Sequence, residues 1–292
     1  MALAEVTTRD PAEAVRPGTR WLLRAFLVLT LLAVNQLLVL ADVADRYWAW
    51  TIRTEPTAAF LGAAYGAGAV LAATALRQDR WSRIRVPVLT VTVFTALTLV
   101  ATLVHTHRLH LLSGGPVARV AAWTWLAVYL VVPALCVAVV LAQETRRPRG
   151  LPVLRPVPRG LAAVLAAEGV LLAAAGAVLF AGGLLVHHHV ETVTSFWPWG
   201  ITPLSSQVIG AWLLALGVAA ALVLAERDLA RLSVAGVTYT AFGLLQLVVL
   251  AWYLPEMDTD DGWLWAYAAL LVAIVLTGAV GARAARSAAR AG

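Results

Sequence analysis

Lysine is missing from this 292-residue chain: all 22 basic residues are arginine. Schiff-base chemistry with retinal or pyridoxal phosphate needs a lysine amine, so both are excluded. Cysteine is nearly missing too. Cys136 stands alone, which rules out an internal disulfide and leaves the redox compartment unmarked. Charged residues make up 13% against 61% hydrophobic, too apolar for a sizeable soluble domain. There is no G-x-x-x-x-G-K-[ST], no H-E-x-x-H and no G-x-S-x-G, so those phosphate, metalloprotease and hydrolase signatures are absent. Facing histidine pairs within the apolar runs, which a di-haem cytochrome needs, are also absent. No motif implies a cofactor. The first 20 residues are polar and carry no cleavable-signal pattern.

What is present is a succession of apolar runs, each of about 20 residues and able to cross the hydrocarbon layer as a helix. Eight spans are predicted, at 21–41, 57–76, 86–105, 117–142, 160–187, 206–225, 232–252 and 263–282. The fold class is an all-α polytopic membrane protein, expected in the cytoplasmic (inner) membrane. Arginine sets its orientation. With the N-terminus inside, 18 of the 22 Arg lie on the cytoplasmic side, leaving only Arg46, Arg53, Arg108 and Arg119 outside. The positive-inside rule then gives N-in and C-in. The formal net charge of +6 is thus a topology signal, with contact to anionic lipid, and not a nucleic-acid footprint.

Shifted by about 148 residues, the chain matches itself. Thr90-Val91-Thr92-Val93-Phe94 lies over Thr238-Tyr239-Thr240-Ala241-Phe242, and Arg83 over Arg231. LLVLADVADRYWAW (37–50) resembles LLVHHHVETVTSFWPW (184–199), and AFLGA (59–63) lies over QVIGA (207–211). The expected organisation is a tail (1–20), a four-helix repeat (21–142), an Arg/Pro linker (143–159), a second repeat (160–282) and a tail (283–292). Each unit has an even number of spans, so the repeats run parallel, and sites form where such halves meet.

Four W-x-W pairs stand at the outer ends of the even-numbered spans: Trp48/Trp50, Trp123/Trp125, Trp197/Trp199 and Trp263/Trp265. One reading is an interfacial aromatic belt. The other adds an outward-facing cavity walled by the same indoles, whose π faces suit cations and apolar rings.

The outer face also gathers Asp42, Asp45, Glu55 and Glu191, the acidic run 256–261, and all six His. Adjacent His187, His188 and His189 diverge on a helix, as do His105 and His107, so no metal site is favoured. A metal would need His105, His107, His188 and Glu191 drawn from different segments. The run 256–261 lacks EF-hand spacing. Asn35, Asp42 and the Asp45–Arg46 pair are spaced for one helical face, polar from mid-membrane outward, which is expected to line a cavity. Asn35 or Gln36 offers an interhelical hydrogen bond, as does Gln246. Glu168, the one acid inside a predicted span, is expected near the cytoplasmic interface, paired with an N-terminal Arg or snorkelling. The linker 144–160 reads as a stiff connector with lipid-facing Arg.

WAWTI (48–52), AWTWLAVYLVVP (122–133) and FWPWGITPL (196–204) together resemble an uncharacterised family of actinobacterial eight-span membrane proteins with a W-P-W-x-x-T-P-L pattern. Gln207 stands about where that family carries Arg. The resemblance implies topology more than chemistry. More loosely, a Trp-rich membrane protein with outer-face acids resembles the bacterial membrane-bound terpene cyclases.

Three functions follow. The first is an enzyme that acts on an isoprenoid or lipidic substrate by acid-initiated cyclisation or isomerisation. Asp42, Asp45, Glu55 or Glu191 would supply the proton. Asn35 and the eight paired indoles would line the substrate site. The second is a small-molecule transporter with parallel repeats. The third is a non-catalytic sensor or metal-binding protein using the outer His. Membrane lipid and an apolar small molecule are the expected partners, and the oligomeric state stays open.

Overall fold

A computed structural model of the chain describes residues 11–148, 153, 155–185 and 195–290. Its long elements are eight helices: α1 Pro17–Val34, α2 Glu55–Ala75, α3 Trp81–Val104, α4 Pro116–Glu144, α5 Arg159–Leu185, α6 Pro203–Glu226, α7 Ser233–Tyr253 and α8 Gly262–Arg290. All eight are long and apolar enough to cross a membrane. Most ends agree with the eight expected spans to within a few residues, but α1 stops at Val34 rather than 41 and α8 runs on to Arg290 rather than 282. The largest shift at a start is at α3, which begins at Trp81 rather than 86. Its polar first turn is helical because Glu144 accepts hydrogen bonds from Trp81 Nε1 at 2.6 Å and Arg85 Nε at 2.9 Å.

Helix starts follow local rules. Pro56 and Pro203 sit in the first turns of α2 and α6, where a missing N–H costs nothing. The Thr202 hydroxyl caps α6 by accepting from Ser205 N. Arg227 then ends α6 in the left-handed conformation, with φ of 56°.

Helix pairing has a two-fold pattern. Within the halves, α1 packs on α2 and α3 on α4, as α5 does on α6 and α7 on α8; across them, α2 packs on α7 and α3 on α6. Exchanging each helix for the one four places along maps this set onto itself. The cross-half seam includes a bond anticipated from the sequence: Gln246 Nε2 donates to Phe60 O at 3.0 Å.

The halves differ in tightness. On α5, Gly169, Gly176 and Gly183 recur every seven residues; the first two face Gly217 and Gly210 on α6, and Gly183 faces Pro203 and Gln207. A Cβ on Gly176 would lie 2.7 Å from Leu214 N and 2.9 Å from Gly210 O. Backbone meets backbone there. α1 has no such glycine seam. It touches α2 closely at Gly62, whose Cβ would meet Leu38 N at 2.5 Å, and makes few contacts with α4.

Two charged groups depart from expectation. Arg147, in the linker, does not face lipid. It joins Arg85 and Arg231 around buried Glu226, at 3.1, 2.7 and 2.9 Å. This knot ties α3, α4 and α6 to the turn Leu229–Arg231. Among the described residues, Glu168 has no Arg partner. It is buried between α5, α7 and α8, accepting from Thr277 Oγ1 at 2.9 Å and Tyr239 OH at 3.1 Å. These neutral donors stand on helix faces that the sequence did not mark as neighbours.

Candidate functional site

The site begins where α1 fails to continue as a regular helix. Residues Asn35–Val39 form a π-helical turn in which Leu40 N donates to Asn35 O at 3.1 Å. Leu40 then leaves the helical region, with φ −110° and ψ 36°. A 3-10 turn, Ala41–Val43, and a single helical turn, Ala44–Tyr47, follow. This break redirects the chain over the end of the bundle. The extended segment after it is held to the α3–α4 connection: His110 N donates to Ala49 O at 2.9 Å, and His110 Nδ1 lies 3.1 Å from Trp48 O.

That clamp turns Trp48 and Trp50 inward, onto Trp125 of α4. The three indoles pack edge to face, with centroids 5.6, 5.5 and 4.8 Å apart. Trp125 Nε1 donates to Thr102 Oγ1 at 3.0 Å and Trp50 Nε1 to Ser205 Oγ at 3.4 Å. Among the described residues, Trp48 Nε1 has no hydrogen-bond acceptor. Neighbouring indole faces pack around its ring instead.

Beside this triad lies a cleft of about 500 Å³ between α1 and α4, floored by α2 and α3. Thr30, Ala33 and Gln36 of α1 form one wall, Val120, Ala121 and Thr124 of α4 the other, with Trp48 at the outer end. At the floor, Trp212 of α6 stacks on Phe94 with centroids 4.0 Å apart, and the Tyr65 and Tyr129 hydroxyls meet at 2.7 Å. The rim residues Leu32, Val117 and Val120 are exposed on the outside of the bundle. The cleft therefore opens sideways, between two peripheral helices.

The indole pairs divide. Trp48 and Trp125 line the cleft, and Trp50 is buried behind them. Trp123 of α4 and Trp263 and Trp265 of α8 are instead 54%, 56% and 53% exposed, in the manner of a belt. Residues two apart on a helix point about 200° apart, so Trp125 facing in sends Trp123 out. Trp197 and Trp199 form a second cluster, with centroids 5.3 Å apart, but Phe60 and Tyr267 fill the space beside them. Of the four pairs, the cavity thus takes only Trp48 and Trp125, joined by Trp212 of α6.

The polar residues divide as well. Asp42, Asp45 and Glu55 are exposed, and none lines the cleft. The single polar face expected from Asn35 to Arg46 does not exist, because the π turn and the break at Leu40 spoil its register. Asn35 is exposed, and among the described residues its side chain has no hydrogen-bond partner; Gln36 lines the cleft in its place. His105 is buried with Nε2 3.2 Å from Gly183 O, while His107 is exposed. Among the described residues, no group of three His, Cys, Asp or Glu is placed to hold a metal. His188 and Glu191 lie outside the described residues, with His187 and His189.

Sequence reasoning passed over Tyr65, Tyr129 and Trp212. Trp212 carried a signal: it stands outside the W-x-W pairs, deep inside a span. The two tyrosines carried none beyond their polarity in apolar runs. No family model, curated protein or solved structure matches the chain.

Proposed function

We propose that the protein binds one apolar chain-like molecule, an acyl or isoprenyl lipid, which enters the α1–α4 cleft sideways from the bilayer. The observation that carries this reading is the lateral opening. A cleft lined by aliphatic and aromatic side chains, open between peripheral helices, meets hydrocarbon and not water. Its volume of about 500 Å³ lies within the roughly 300–1,000 Å³ of ordinary small-molecule sites. Along α4 it runs from Pro116 to Val132, about 24 Å at 1.5 Å per residue, so the occupant lies parallel to the helices. The faces of Trp48, Trp125 and Trp212 favour unsaturation, which points to isoprenyl over saturated chains. Acid-initiated chemistry on that ligand has no carboxyl to start from among the described cleft residues. Binding is therefore the function the geometry supports best.

The experiment is photolabelling in liposomes with a diazirine-bearing farnesol, mapped by mass spectrometry. Labels are expected on α1 and α4 around Ala33 and Val120–Val132. Ala121→Trp, which fills the cleft, is expected to cut them at least ten-fold. Equal labelling of wild type and a well-folded Ala121→Trp would overturn the reading.

A further inference from the structure

Glu168 is the feature that the cleft does not use. It lies nine residues into α5 from Arg159, about 14 Å from the Arg-rich end, and is 4% exposed. Its carboxyl is held between two helices of the same half. Thr277 of α8 donates to Oε1 at 2.9 Å and Tyr239 of α7 to Oε2 at 3.1 Å. Both donors are neutral. Among the described residues it has no cationic partner: Arg159, Arg283 and Arg286 are exposed and make no ion pair with it. The other groups facing this region are uncharged. Thr238 and Thr240 come from α7, and Ala220 of α6 packs beside Gly169.

A carboxylate inside a span needs a compensating positive charge, and neutral hydroxyls do not supply one. No side chain is free to move in, because α7 and α8 touch backbone to backbone. A Cβ on Gly278 would lie 2.6 Å from Thr240 N. The compensating charge must therefore be small and mobile. A crevice of about 80 Å³ reaches the site, lined by Thr90, Thr238, Tyr239 and Thr277. The rest of its lining is apolar, so the hydroxyls of these four residues are its polar points. The Thr238 hydroxyl is buried there with no hydrogen-bond partner among the described residues. Leu161 and Leu232, near the starts of α5 and α7, line it too, so it lies toward the Arg-rich end.

We propose that Glu168, Tyr239 and Thr277 form a binding site for one monovalent cation, a proton or sodium, within the membrane. A proton converts the carboxylate to a neutral acid that donates to one hydroxyl and accepts from the other. Sodium is held by the carboxylate and the hydroxyl oxygens. The site is independent of the lipid cleft and would survive its failure.

The test is infrared difference spectroscopy of wild type against Glu168→Gln in proteoliposomes. Gln keeps the shape and the hydroxyl contacts. In sodium-free neutral buffer, a protonated-carboxyl band present only in wild type identifies the proton. A carboxylate band that shifts with sodium chloride but not choline chloride identifies sodium. A carboxylate band indifferent to sodium and to pH through the neutral range overturns the proposal. Should Glu168→Gln fail to accumulate, Thr277→Val takes its place: it removes one donor and must move the same band, and an unmoved band again overturns the proposal.

Discussion

The hydroxyls of Tyr65 on α2 and Tyr129 on α4 lie 2.7 Å apart, buried in the floor of the cleft. Neither faces water, so each depends on the other for satisfaction. Their situations differ in one respect: Tyr129 also reaches the Thr98 hydroxyl. Tyr129→Phe therefore strands the Tyr65 hydroxyl and is expected to cost about 1–3 kcal/mol. Tyr65→Phe is expected to cost less. The double Phe variant removes both polar groups and should recover part of the loss. Denaturant unfolding of the four proteins in detergent measures this coupling, and strictly additive losses would show that the pair is not a unit.

The two indoles of one W-x-W pair are expected to behave oppositely. Trp125 is 5% exposed, packed on Trp48, Trp50 and Tyr129, and bonded to Thr102. Trp125→Ala should cost about 3–5 kcal/mol, as large core truncations do. Trp123 is 54% exposed, and its Nε1 donates to Leu111 O at 3.1 Å at the helix end. Trp123→Ala should cost about 1 kcal/mol or less, close to one hydrogen bond. Thermal unfolding of both variants checks the ranking, and equal losses would mean that facing does not govern this pair.

That contrast also marks what the sequence could reveal. The eight spans were legible, because a run of about 20 apolar residues has one physical explanation. The Gln246 bond was legible, since a buried amide must find a partner. The acids misled. Reading Asn35, Asp42 and Asp45 as one face assumed a regular helix, and the π turn at Asn35–Val39 is invisible to periodicity. The cleft was not legible, because whether two apolar helices touch or stand apart is set by tertiary packing that hydrophobic periodicity does not report.

The knot at the Arg-rich end makes a different kind of claim. Glu226 is 7% exposed and receives Arg85, Arg147 and Arg231, the first across the halves. Glu226→Gln leaves three guanidinium groups around a neutral amide. Breaking a fully buried ion pair costs about 3–5 kcal/mol, and the partial exposure of the arginines lowers the expectation to about 2 kcal/mol. Arg85→Met should cost less, because two arginines remain on the carboxylate. Unfolding at low and high salt tests this: the penalty of Glu226→Gln should shrink as salt screens the repulsion. A salt-independent penalty would assign it to packing.

The α5–α6 glycine seam yields the sharpest stability prediction. A Cβ on Gly210 would lie 2.7 Å from both Gly176 O and Phe180 N, and backbone cannot rotate away as a side chain can. Gly210→Ala must push the helices apart and should cost about 1–3 kcal/mol, as overpacking does. Gly281 on α8 is the control, since a Cβ there meets nothing within 4 Å. Gly281→Ala should be neutral or stabilising by up to about 1 kcal/mol through helix propensity alone. Opposite signs at two helical glycines in one chain would separate close packing from propensity. The outcome that defeats the seam is a Gly210→Ala protein as stable as wild type in detergent unfolding. α5 and α6 would then tolerate a wider spacing than the backbone-to-backbone contact at Gly176 and Gly210.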